Sequence, residues 1–147
     1  MTSTLRPRSV QGDRITIQEV DTETLIYNER THRAWCLNRS SACIWRLCNG
    51  QNTVRQIADA ATAELGSPVS EDLVLLTVDE LREKELLEPM AAEVLPPGMT
   101  RRQMMGRMGL TAAALLPVIA ALTAPPAKAQ GGSVGTGVVP GEGDPDR

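Results

Sequence analysis

The residues of this chain best suited to chemistry are three cysteines and a single histidine. Cys36, Cys43 and Cys48 lie within thirteen residues of one another, and His32 precedes the first by four. Zinc sites commonly use two cysteines separated by two residues, and neither gap here has that form. The cysteines also fall on a predicted strand and on different turns of a predicted helix, so we interpret them as small buried apolar residues. We predict no metal site and no cofactor.

Catalytic arrangements are equally hard to find. His32 is predicted in a loop and has no organised acidic partner, and the sequence contains neither a phosphate-binding loop nor a paired-carboxylate motif. We therefore expect no catalytic residues and predict that the protein is not an enzyme. The odd number of cysteines and the polar residues 1–13, which do not resemble a secretory signal peptide, favour a reducing cytoplasm.

Three short strands are predicted near the start of the chain. Residues 1–13 lack periodicity and are expected to form a flexible arm. Residues 14–20 alternate β-branched and polar side chains, which is typical of a half-buried strand. Residues 24–28 and 34–37 are predicted as a second and a third strand after short turns, so we expect a three-stranded antiparallel sheet.

Helical spacing follows the strands. Asn38 or Ser40 can cap a first helix, and Thr53 with Gln56 has the form of a capping box for a second. Ser70 is a suitable N-cap for a third. The predicted fold is α+β: a small winged helix-turn-helix domain over residues 14–90, with three strands followed by three helices, and then a linker over residues 91–100.

A winged helix raises the question of DNA binding, which the charges argue against. Residues 69–88, which include the would-be recognition helix, contain seven acidic and two basic residues. Such a helix would repel phosphates, whereas DNA-binding proteins neutralise several of them. We predict no nucleic-acid partner.

Several short motifs follow one another in a fixed order over residues 14–88. They are Leu37-Asn38, Ile44-Trp45-Arg46-Leu47, Cys48-Asn49-Gly50, Thr53-Val54-Arg55-Gln56-Ile57-Ala58, Leu81 and Leu86-Leu87. Together they resemble the PqqD-like family, whose members are also called RiPP recognition elements. The family pattern has glycine before the final leucine pair, where this chain has Glu85.

The resemblance implies a non-catalytic chaperone that binds the leader of a ribosomally made precursor peptide. It would present the peptide to a maturation enzyme, such as a radical-SAM, cyclase or peptidase protein. The leader is expected to add as a strand to the sheet and to pack against the third helix, so that backbone hydrogen bonds supply affinity and side-chain pockets supply selectivity. The implied peptide-binding residues are Arg33, Ala34, Trp35, Cys36 and Leu37 on the edge strand, and Leu75, Leu76, Asp79 and Arg82 on the helix.

A purely structural interpretation of the same residues is also open. Trp35, Leu75 and Leu76 can complete a core that lacks phenylalanine. Asp79 and Arg82 can lie on a solvated helix face.

The C-terminal part of the chain looks like an export sequence far from the N-terminus. Thr100-Arg101-Arg102-Gln103-Met104-Met105 resembles a twin-arginine motif, residues 108–127 carry no charge, and Ala127-Lys128-Ala129 has the form that signal peptidase cleaves. We expect residues 101–129 to form an extra apolar helix and residues 130–147 to form a disordered tail.

Three interpretations of this apolar segment stay open. Twenty uncharged residues can span about 30 Å of bilayer, which would tether a cytoplasmic domain to the inner membrane through residues 101–127. The segment can instead be a fused precursor, or a helix that packs on a partner or on the domain itself. The alternative functions are accordingly a winged-helix regulator or a membrane-anchored adaptor.

Overall fold

A computed structural model of the chain describes residues 5–90, 94–109 and 115–122. Within these ranges the chain forms an α+β fold with one antiparallel sheet and four helices. The strands are β1 (Ile15–Val20), β2 (Glu23–Asn28), β3 (Arg33–Leu37) and β4 (Ile119–Leu122), and they lie in that order across the sheet. The helices are α1 (Arg39–Leu47), α2 (Val54–Leu65), α3 (Glu71–Glu83) and α4 (Arg101–Met108).

One face of the sheet packs against the helices. Alternate residues of β2 and β3 point to this face, where Ile26 lies opposite Trp35 and Thr24 opposite Leu37, and all four are buried. The second and third predicted strands are therefore confirmed as β2 and β3. The half-buried character predicted for residues 14–20 is wrong, because β1 forms but is exposed along most of its length.

Capping residues determine where the helices begin and end. The Gln56 N–H donates to the Thr53 hydroxyl at 3.3 Å, and the Thr53 N–H donates to the Gln56 side-chain oxygen at 2.8 Å, which forms the predicted capping box of α2. That helix ends at Gly66, which adopts the left-handed conformation with φ of 70°. Ser70 caps α3 by accepting a hydrogen bond from the Leu73 N–H at 3.1 Å, as its position predicted.

The end of α3 explains why the resembled family pattern has glycine before the leucine pair. Glu85 has φ of 60°, a left-handed conformation that glycine adopts most easily. The reversal lets the Leu86 N–H donate to the Leu81 carbonyl at 2.9 Å. Leu86 and Leu87 are thereby buried in the core behind the helix.

The N-terminal residues make more contacts than their composition predicts. Within the region expected to be a flexible arm, the Ser9 N–H donates to the Cys48 carbonyl at 2.7 Å, and the Val10 N–H donates to the Leu86 carbonyl at 3.0 Å. Pro7 and Ser9 are buried. These bonds join residues 7–10 to the ends of α1 and α3.

The predicted three-stranded sheet is wrong by one strand. Residues 119–122 pair antiparallel with β3 and form the fourth strand at that edge. The pairing depends on an edge partner more than eighty residues earlier in the chain, which local periodicity does not reveal. The winged helix-turn-helix arrangement and the domain boundaries stay predictions.

The predicted C-terminal apolar helix is also wrong where the structure describes it. Residues 101–108 form a short helix with one buried side chain, Met104, and residues 119–122 form a strand. Pro117 cannot donate a helical hydrogen bond and disfavours helical geometry in the residue before it. Residues 110–114 and 123–147, including the predicted tail, lie outside the described residues. In the part of the chain that is described, no helix is long and apolar enough to cross a membrane.

Candidate functional site

The edge of β3 is the place where the sequence predicted an added strand, and β4 occupies it. In the antiparallel register, Leu37 lies opposite Ile119, Cys36 opposite Ala120, and Ala34 opposite Leu122. Ile119 is buried on the helix-facing side beside Leu37. The edge can therefore receive a strand in register, and here the strand belongs to the same chain.

Asn38, immediately after β3, joins the added strand to the domain. Its side-chain oxygen caps α1 by accepting from the Ser41 N–H at 3.1 Å and also accepts from the Val118 N–H at 3.2 Å. Its side-chain amide donates to the Leu116 carbonyl at 3.0 Å, and its backbone N–H donates to the Val118 carbonyl at 3.0 Å. One residue thus caps a helix and holds three polar groups of the incoming segment.

The second wall of the site is a face of α3. Asp72, Leu76, Asp79 and Glu83 are spaced by four, three and four residues, so they form one stripe along the helix. This stripe faces α4. Leu76 and Met104 are both buried without belonging to the main core cluster, as expected of apolar residues enclosed between these two helices.

Ion pairs fix α4 on the acidic stripe. Arg101 donates from Nε to Asp79 Oδ2 at 2.7 Å, and its Nη2 lies 2.6 Å from Glu83 Oε2. Arg107 reaches Asp72 at 3.6 Å, so α4 runs antiparallel to α3. Burial opposes the charge on Arg101, but its hydrogen bond to Asp79 and the nearby charges of Asp79 and Glu83 outweigh that effect and raise its pKa.

Asp79 is the centre of this arrangement. Its side chain is only 6 % exposed and accepts from both Arg101 and Arg82, the latter at 3.0 Å. A buried carboxylate is costly unless it is paired in this way. Close by, burial raises the pKa of the Glu80 carboxyl despite the neighbouring Arg101 and Lys84.

The remaining predicted site residues lie on the same two elements, β3 and α3. Arg33 is exposed and pairs with Glu85 at 2.9 Å. Trp35 is buried, with the Lys84 ammonium 5.4 Å from its ring centre. Leu75 is partly buried against the core.

The cysteines take no part in a metal site within the described residues, where no cluster of potential metal ligands occurs. Cys43 and Cys48 are fully buried free thiols, as their interpretation as apolar residues predicted. Burial raises the pKa of Cys48 to about 12 and is the main cause that raises that of Cys43 to about 11. For Cys36 the same interpretation is wrong, because its thiol is partly exposed on β3 and donates to Glu23 at 3.2 Å.

Sequence reasoning missed several residues of the site. Asn38 was predicted only as a helix cap, and its bonds to residues 116 and 118 depend on a segment distant in the chain. Asp72 and Glu83 could have been found from their four-, three- and four-residue spacing with Leu76 and Asp79. The complementary sequence pattern was Arg101 and Arg107 in a region without acids, next to an acid-rich domain.

The fold and the site define a small α+β domain that accepts an added strand along one sheet edge, beside an acidic helix. Comparison with protein-family models agrees with this class: the family described as Coenzyme PQQ synthesis protein D (PqqD) matches residues 23–87. Over residues 23–87, from β2 to the leucine pair after α3, the chain is therefore similar to the PqqD family, a family of RiPP recognition elements. No curated protein and no solved structure matches the chain.

Proposed function

We propose that this protein binds the leader segment of a ribosomally made precursor peptide and presents it to a modifying enzyme. The observation that carries the proposal is the edge of β3, which holds an added strand in register within a PqqD-family domain. The leader would bind by strand addition, with its backbone on β3 and its side chains against α3.

The site offers the two sources of recognition that this binding mode needs. Backbone groups of residues 33–37 supply sequence-independent affinity, and the stripe on α3 supplies selectivity by charge and by the apolar side chain of Leu76. Asp79, Arg82 and Arg33 are the charged residues that would choose among peptides. Leu37, beside the position of Ile119, would receive an apolar side chain.

We further propose that the protein performs no catalysis itself. The chemistry would belong to the partner enzyme, of radical-SAM, cyclase or peptidase type, and the domain would work in the cytoplasm. In this arrangement, binding raises the concentration of the substrate near that enzyme without any reacting group on this chain.

Proline substitutions in the full chain test the proposal. The Asn38 N–H bonds to the carbonyl of Val118, and hydrogen-bonded pairs alternate in an antiparallel ladder, so Ala34 and Cys36 direct their N–H groups toward the added strand. Ala34→Pro removes one of these donors. Ile17→Pro is a matched control. The Glu29 N–H donates to the Arg14 carbonyl, and hydrogen-bonded positions alternate along β1, so the N–H of Ile17 points away from β2 toward the outer edge of β1.

The measurement is a titration with synthetic leader peptides of the short open reading frames next to the gene. It uses the wild-type chain, Ala120→Pro, which loosens β4, and Ala120→Pro combined with either of the two proline substitutions. We expect a dissociation constant of about 1 µM, or about 8 kcal/mol, for Ala120→Pro and for its combination with Ile17→Pro, and loss of binding in its combination with Ala34→Pro. Absence of binding below about 100 µM in every variant, or equal binding by the two combined variants, would refute strand addition at β3.

A further inference from the structure

The predicted ligand-binding surfaces of this domain are both covered by its own C-terminal segment. β4 lies on the edge of β3, and α4 lies on the acidic stripe of α3. The two elements follow each other in one stretch, residues 100–122. A single segment thus occupies the strand half and the helix half of the site.

The described parts of this segment, residues 100–109 and 115–122, are held by strand pairing, by ion pairs and by a limited set of apolar contacts, in which Met108, Leu115 and Leu116 are only partly buried against the core. Met104 is the one buried side chain of α4, and Ile119 is the one buried side chain of β4. Met105, Val118 and Leu122 are each more than 40 % exposed. Such a surface resembles that of a bound peptide more than that of an integral layer of the core.

We propose that residues 100–122 are a tethered ligand of the peptide-binding site, and that the free peptide it accepts shares their two-part pattern. This rests on the proposed function. The pattern is a short helix with two basic residues six positions apart, followed by a short apolar strand. In this chain the basic residues are Arg101 and Arg107, and the strand begins at Ile119, twelve residues after Arg107.

Each part of the pattern follows from a contact. A basic residue at the start of the helix meets Asp79, whose buried carboxylate needs a partner, and the second meets Asp72. An apolar residue at the start of the strand lies beside Leu37. The next positions, Ala120 and Ala121, are exposed, so the site places little demand on their side chains.

The tether makes the segment a strong competitor of a free peptide. Short flexible connections give effective concentrations of about 1 mM. If the segment itself binds the empty site with a dissociation constant of about 10 µM, a free peptide would bind the closed chain about a hundredfold more weakly than the open chain. The segment consequently sets a threshold that a weak or mismatched peptide does not pass.

A matched pair of proline variants in the full chain separates this arrangement from a merely structural strand. The ladder alternation that runs from the Asn38–Val118 bond makes Cys36 and Ala120 a hydrogen-bonded pair, so Ala120→Pro removes a donor to β3. The N–H of Ala121 points away from β3, so Ala121→Pro keeps the ladder. Both variants carry the same chemical change at neighbouring exposed positions.

The probe is a fluorescent synthetic peptide that copies residues 98–124 of this chain. We expect it to bind Ala120→Pro at least tenfold more tightly than the wild-type chain, and Ala121→Pro to behave like the wild type. A copy of the peptide with Arg101→Glu and Arg107→Glu should bind at least tenfold more weakly. The double variant Arg101→Glu, Arg107→Glu of the full chain should also admit the original peptide, by releasing α4, and it serves as a second opening should Ala120→Pro fail to fold.

The outcomes distinguish the two proposals. Equal affinity for the wild type and both opened chains would overturn the tethered ligand while leaving peptide binding intact. Equal binding of the original and Glu-substituted peptides would overturn the basic half of the pattern. If no opened chain binds this peptide or any leader peptide, the proposed function itself is wrong.

Discussion

The domain that matches the PqqD family model and the segment that covers it are held in different ways. The domain contains a continuous set of fully buried side chains, among them Leu37, Ile57, Leu73 and Leu81. The segment adds a four-residue strand, a short helix and a few ion pairs. Apolar burial contributes about 25 cal/mol per Å², whereas ion pairs near the surface contribute about 1 kcal/mol or less.

This difference indicates that the two parts need not unfold together. Regions with few buried apolar contacts open at a lower free energy than the core. We therefore expect residues 100–122 to detach while the domain stays folded. The following predictions break or sharpen this contrast, in order of decreasing expected effect.

The largest effect should come from deleting a core side chain. Leu81→Ala should lower the free energy of unfolding by about 2–5 kcal/mol, because Leu81 is fully buried in the main cluster. Met104→Ala removes an equally buried side chain, but from the segment. It should leave the denaturant midpoint of the domain almost unchanged and speed hydrogen exchange in α4 and β4. Equal losses of global stability in the two variants would mean that domain and segment form one cooperative unit.

Alkaline pH should act on the core. The pKa of Cys48 is raised by burial from 9.0 to about 12 in the folded chain, so its contribution is fully present below pH 9 and is lost as the pH rises toward 12. In this window the unfolded chain loses the thiol proton first, and stability should fall by up to about 1.4 kcal/mol per pH unit. Denaturant unfolding between pH 8 and 11 measures the slope. In Cys48→Ala the slope should be smaller, and an unchanged slope would contradict this assignment.

Asn38→Asp should affect the segment more than the domain. The carboxylate can still cap α1, but it cannot donate to the Leu116 carbonyl as the amide does. We expect a loss of about 1 kcal/mol in segment docking, seen as faster hydrogen exchange in β4 with α1 unchanged. Equal acceleration in α1 would show that the variant has damaged the cap instead.

The smallest effect is expected at the turn after α3. Glu85→Gly removes the strain of a left-handed side-chain residue but also the exposed pair with Arg33. Relief of strain should outweigh the pair, raising stability by about 0.5–1 kcal/mol. Glu85→Ala is the control, because it loses the pair and keeps the strain. Thermal unfolding should rank glycine above glutamate and alanine below it.

Much of the domain could be predicted because its determinants are local. Thr53, Gly66 and Ser70 mark helix ends within a few residues of sequence, and short turns mark the bounds of β2 and β3. The predicted peptide-binding residues on β3 and α3 came from the family resemblance. The spacing of apolar residues along a helix does not by itself distinguish a core position of Leu76 from a position in a binding site. The structure adds that β4 lies on the edge of β3 and that α4 lies on the face of α3.

The covering segment could not be predicted in the same way. Residues 108–127 are uncharged and rich in alanine and leucine, which favours a helix when the chain is considered locally. Pro117 and the unpaired edge of β3 favour a strand instead. The edge of β3 exists only after the domain has folded, so local sequence does not reveal it. The hydrogen bonds of Asn38 to Leu116 and Val118 likewise form only when this distant segment meets the folded domain.

The pairing of β3 with β4 also affects the solubility of the protein. An unpaired, apolar strand edge is a template for adding strands of other molecules, and an uncharged segment rich in apolar residues is a natural addition to it. In the folded chain the edge of β3 and the strand β4 of this segment pair with each other. At this edge the domain is thereby protected from adding strands of other molecules.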